Sequence, residues 1–174
     1  INPKNTNFIN NLKEQIRYHD SPVATINSLL SFILYKKVKK DNFKVSISGI
    51  GSDEIFSGYY DHHLLYFNEI KSNKKSLKQS KKNWTKIVKP LIRNPLLKKG
   101  DLYIKDPNFR KHIYQHESFK NNMFNLNRKN NFNDKNYTKS LMKNRLANEM
   151  FNEIVPVVLK EDDLNGMCNS IENR

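Results

Sequence analysis

Apolar residues recur along this chain at helical spacing, broken once by a short run of extended character. Phe8, Leu12 and Ile16 stand four apart and mark one face of a helix. Val23, Ile26, Leu29, Leu30, Ile33, Leu34 and Val38 form a wider stripe, which predicts a second helix packed deeply. Asp20 or Ser21 suits its N-cap, with Pro22 in the first turn, where a missing N–H costs nothing. Lys36, Lys37, Lys39 and Lys40 complement the negative end of that helix. Asp41-Asn42 reads as a turn, and Val45, Ser46, Ile47 and Ser48 as a short buried strand. Helical spacing returns in Ile55, Phe56, Tyr59, His63, Leu64, Phe67 and Ile70. Residues 71–100 read as a connector with a helix near Trp84–Ile92, and the Asn-rich residues 101–136 as short helices and loops. From Tyr137 a helical period runs through Leu141, Leu146 and Met150 to Phe151, and Pro156 is expected to stop it.

Between the strand and the helix after it lies Ser48-Gly49-Ile50-Gly51-Ser52-Asp53-Glu54. A strand that turns through glycines into a helix start is how α/β proteins bring bare backbone to a phosphate. Gly49 and Gly51 allow that approach, and Ser48 and Gly49 fall at the carboxyl end of the strand. Asp53 has two readings: a magnesium ligand beside a phosphate, or an acid in an ordinary first helical turn after Ser52. A helix, a strand and a glycine loop in that order point to a parallel sheet covered by helices. The strand needs partners that the sequence does not obviously supply.

The 174 residues suffice for one domain with a core. No run of eighteen apolar residues occurs, and the N-terminus is polar, so neither a membrane span nor a secretory signal is expected. Cys168, the one cysteine, excludes an internal disulfide and suits a reducing cytoplasm; it reads as packing. No Cys/His metal cluster is legible, and His62 and His63 read as surface and packing. The net charge of +14 arises mainly from Lys71–Gly100, which carries Lys and Arg93 with no acid. With Trp84 its one aromatic, that run reads as a solvated surface in preference to a nucleic-acid patch.

Ser48–Tyr59, SGIGSDEIFSGY, resembles the S-G-x-G-A-D-E-x-F-G-G-Y motif of the synthetase domain of glutamine-hydrolysing asparagine synthetases. Tyr18-His19-Asp20-Ser21-Pro22 and the Lys-Val-Ser-Ile-Ser strand resemble the approach to it. Ile154–Met167 is similar to the family's P-x-x-L-x-x-x-D-x-x-S-M region, and Ser170–Arg174 to its S-I-E-x-R. The resemblance covers residues 8–70 and 137–174, with 71–136 a basic, weakly patterned insertion.

It implies an α/β fold: one truncated adenine-nucleotide alpha-hydrolase-like (pyrophosphate-loop ATPase) domain over residues 1–174, mostly helical with few parallel strands. It implies that ATP adenylates the side-chain carboxylate of aspartate, and that ammonia from a separate glutaminase domain displaces AMP. Ser48, Gly49 and Gly51 then face the nucleotide, Asp53 holds magnesium, and Asp162, Asp163 and Glu172 line the aspartate and ammonia side. A cytoplasmic enzyme is expected, with room for a homodimer. The chain starts at Ile1 and stops at Arg174, before the family's P-F-L-D and the catalytic lysine beyond it. It also lacks the S-G-G-x-D-S pyrophosphate loop and a leading cysteine, so a fragment inactive alone is expected. Ile50 stands where the family usually places an acid, which favours a divergent amidotransferase acting on another carboxylate, or a weakened enzyme. The other alternative is a basic nucleic-acid-binding module.

Overall fold

The computed structural model describes residues 6–113 and 134–174. It is mostly helical, with one small parallel sheet, as an α/β reading allows. Two compact units emerge, Ile1–Gly51 with Met150–Arg174, and Ser52–Glu149. The expectation for residues 101–136 falls partly on 114–133, outside the described residues. No described helix is long and apolar enough to cross a membrane.

The first unit holds α1 (Phe8–His19), α2 (Ile26–Lys40), β1 (Val45–Ser46), the last helix (Val155–Cys168) and β2 (Glu172–Asn173). Leu29, Phe32 and Ile33 form its core, packed by Phe8, Leu12 and Cys168. Cys168 therefore packs as expected, and burial pushes its thiol pKa up. The α2 stripe is only half buried: Ile26, Leu30 and Leu34 stay exposed. Its cap also differs from expectation. Thr25, not Asp20 or Ser21, receives the Ser28 N–H, while Asp20 ends α1 in the left-handed region at φ 50°. Pro22 precedes the helix.

Pro156 is a correction too. It sits in the first turn of the last helix and starts it, because that position needs no N–H donor. The chain reaches it through α7 (Leu141–Asn148) and a wider π-type stretch over Glu149–Glu153; Val155–Cys168 is numbered α8 below. At the C-terminal end of α8, the Ile171 N–H bonds Gly166 O at 2.9 Å. A Cβ on Gly166 would stand 2.8 Å from the Ile171 carbonyl oxygen, so only glycine lets the chain turn back there.

That turn delivers the missing strand partner. β2 pairs in parallel with β1, Val45 opposite Glu172 and Ser46 opposite Asn173. Glu172 N–H to Lys44 O (2.8 Å), Arg174 N–H to Ser46 O (2.9 Å) and Ser48 N–H to Arg174 O (3.0 Å) extend the ladder. The expected burial of the strand does not hold. Val45 is 48 % exposed and Ile47 86 %, because two strands leave their faces without a full covering layer among the described residues.

In the second unit, the helix expected from Ser52 to Ile70 is two helices, α3 (Ser52–Phe56) and α4 (Tyr60–Glu69). Ser57 at φ 62° and Gly58 break it, and Ile55 and Phe56 are exposed as a result. α5 runs over Lys74–Ile87, earlier than expected, and is followed by single 3-10 turns at Lys89–Leu91 and Pro95–Lys98 and by α6 (Leu102–Lys105). Leu64, Leu65, Phe67, Trp84, Ile92, Leu97 and Tyr103 form the core. Phe67 meets Trp84 edge to face at 5.9 Å.

Candidate functional site

The loop Ser48–Gly51 leaves the carboxyl end of β1, where open α/β sheets receive ligands. Gly49 is exposed at its tip and Ser48 is half-buried. Gly51 is buried at φ +89°, a conformation that side chains other than hydrogen strain to adopt. Beneath the loop, strand alternation decides which C-terminal acids matter. Asn173 turns inward and its Nδ2 donates to Ser48 Oγ (3.5 Å) and to Asp162 Oδ2. The Tyr35 hydroxyl donates to the same carboxylate at 2.7 Å. Burial, then the Asp162 carboxylate, push the Tyr35 phenol well above its usual pKa, so it remains a donor.

The sequence-expected residues thus divide. Ser48 and buried Asp162 belong to one network joined through Asn173. Asp163, next on α8, is exposed. Glu172, next to Asn173 on β2, is exposed and pairs with Arg174 at 2.9 Å. Neither joins the network. Tyr35 and Asn173 are members of this network that sequence reasoning passed over. Asn173 fills the variable position of S-I-E-x-R, and nothing local marks Tyr35.

Asp53 lies in the second unit, exposed on the first turn of α3. Its backbone carbonyl accepts the Gly58 N–H at 2.9 Å. A Cβ on Gly58 would lie 2.7 Å from the Asp53 carboxyl carbon, so the glycine leaves the space that the carboxylate fills. An exposed, oxygen-only donor held this way suits magnesium, which takes one or two carboxylates beside phosphate oxygens.

A buried polar cluster in the same unit was not foreseen. Asp61, His62 and Glu149 bring their ligand atoms within 4.8 Å of one another. Of the two histidines read as surface and packing, His62 is the buried one, 1 % exposed, and His63 the exposed one. His62 Nε2 meets Glu149 Oε2 at 2.9 Å, and His112 Nε2 meets Asp61 Oδ2 at 3.3 Å. Burial drives the Glu149 carboxyl pKa up. Burial alone would lower that of His62, but the Glu149 hydrogen bond and charge and the Asp61 charge carry it up. Burial would likewise raise the Asp61 carboxyl, yet His112, His62 and Arg145 bring it below the usual carboxylate range.

This cluster is a buried hydrogen-bond network and fits a metal poorly. The Tyr59 N–H donates to His62 Nδ1 at 3.4 Å, capping α4, so Nδ1 accepts and Nε2 carries the proton toward Glu149. A metal on Nε2 would need that proton on Nδ1, facing another donor. Magnesium would moreover reject the nitrogen. The cluster's sequence signal is weak, because polar residues at core register look like a solvated helix face.

The sequence model of a family described as asparagine synthase matches residues 2–174. Comparison with curated proteins returned no match, and comparison with solved structures returned none.

Proposed function

The chain belongs to the asparagine synthase family, and from that premise we propose that it builds an amide from aspartate and ammonia at the expense of ATP. A side-chain carboxylate oxygen of aspartate attacks the α-phosphorus of ATP, and pyrophosphate leaves. Ammonia, drawn from glutamine by a glutaminase domain, then attacks the acyl carbon. The C–O bond to AMP breaks and the amide remains. The observation that carries this reading is the bare Ser48–Gly51 loop, open at Gly49, at the carboxyl end of a parallel strand in a chain of this family.

Ser48, Gly49 and Gly51 serve the nucleotide: the glycines let it come close to the main chain, and the Ser48 N–H, bonded to the Arg174 carbonyl at 3.0 Å, fixes the loop to β2. Asp53 would hold magnesium, which supplies positive charge to the departing pyrophosphate when bound. Asp162 acts as a positioning residue: through Asn173 it holds Ser48, and through Tyr35 it stays anchored. Asp163 and Glu172 are the exposed carboxylates left to face substrate ammonium groups. On this reading residues 1–174 form part of an adenine-nucleotide alpha-hydrolase-like domain of a cytoplasmic enzyme.

The product pair tests it. The full-length protein, given ATP, aspartate and an ammonium salt, is expected to form AMP and pyrophosphate. Replacing aspartate by glutamate should cut the rate at least tenfold, an expectation on the scale of a misplaced reacting carboxylate. AMP formation with a different carboxylate alone would overturn the assigned substrate. Formation of ADP and phosphate, or no turnover, would overturn the adenylation reading.

A further inference from the structure

The lysines of α5 share one face. At about 100° per residue, Lys74, Lys75, Lys78, Lys81, Lys82 and Lys86 fall within an arc of about 140°. They run along about 18 Å of helix axis. Five are exposed and Lys81 is half-buried. None of the six is ion-paired with a described carboxylate. A mere excess of lysine in the composition would spread around the helix. Here uncharged Gln79 and Asn83 take the other exposed flank, and Leu77, Trp84 and Val88 take the inner face.

We propose that this stripe docks the phosphate backbone of a nucleic acid, without reading its sequence. A regular row of cations one turn apart matches a regular polyanion, and each lysine can meet a phosphate as a point charge. No aromatic ring lies on the outer face, since Trp84 is 4 % exposed in the core, so base stacking contributes nothing. The stripe itself has nothing to insert into lipid: Trp84 is buried, and Ile87, the exposed apolar residue of α5, stands about 100° away from the lysine arc. This site is independent of the catalytic reading. Within the solvated surface expected of residues 71–100, the α5 register adds an ordered row of charge.

The test is fluorescence anisotropy of a labelled DNA duplex of random sequence, titrated between about 50 and about 200 mM NaCl. The slope of log K against log salt is expected near −5, since six phosphates each contribute about −0.9. Changing Lys75, Lys78, Lys82 and Lys86 to Gln should move the slope about 3.5 toward zero and weaken low-salt binding more than about 100-fold. A charge-matched variant with Lys39, Lys40, Lys139 and Lys143 changed to Gln should keep most of the affinity. Equal losses in the two variants would overturn the stripe in favour of bulk charge. No duplex binding, or binding only to phosphatidylserine vesicles, would overturn it as well. All eight lysines are exposed, and circular dichroism checks that both variants remain folded.

Discussion

Glu149→Ala is expected to destabilise the protein by about 3–5 kcal/mol, measured as a lower urea midpoint with an unchanged slope. Glu149 is 4 % exposed and His62 1 %, so the alanine leaves the imidazole Nε2 proton without its acceptor in a buried site. Glu149→Gln separates charge from hydrogen bonding. Glutamine keeps an oxygen for His62 Nε2, and burial already penalises the Glu149 anion. The glutamine variant should therefore stay within about 1 kcal/mol of the wild type. A loss as large with Gln as with Ala would show that the anion itself is required.

This cluster marks the limit of what the sequence discloses. A helix over Phe8–His19, a helix ending at Lys40 and a glycine loop after an extended run were all legible, because spacing and caps are local signals. Long-range facts were not. β1 finds its partner in Glu172–Asn173, far along the chain, and no local pattern announces a parallel pairing at that distance. Asp61, His62 and Glu149 occupy core register with polar side chains, so periodicity assigns them to solvent. Pro156 carries two opposite meanings, and only the chain geometry before it decides between stop and start. On the functional side, two motifs in the right order disclosed the family, whereas the Tyr35–Asp162–Asn173–Ser48 network required coordinates.

Asp53→Asn is expected to lower kcat/KM for amide formation by about 10²–10³-fold, the scale on which loss of a single charge-stabilising group acts. Stability should change by no more than about 0.5 kcal/mol, because Asp53 is exposed and asparagine has the same shape. The defect should be largest at low magnesium and ease as the ion is raised. Gly58→Ala offers an independent route to the same site. Its φ lies outside the left-handed region, so the backbone tolerates alanine, but the new Cβ would collide with the Asp53 carboxylate. A comparable loss of activity with near-normal melting is expected. An Asp53→Asn enzyme of full activity would remove Asp53 from the reaction, and a cooperative unfolding defect in it would give the residue a structural role instead.

The central claim is adenylation of a carboxylate by a member of this family, and isotope transfer tests it most directly. Aspartate labelled with ¹⁸O in its side-chain carboxylate would be turned over by the full-length protein with ATP and ammonium. The phosphorus products would be read by mass spectrometry. If the carboxylate attacks the α-phosphorus and ammonia then attacks carbon, one labelled oxygen leaves with AMP and pyrophosphate carries none. Label in inorganic phosphate, or in no phosphorus product while amide forms, would contradict the account.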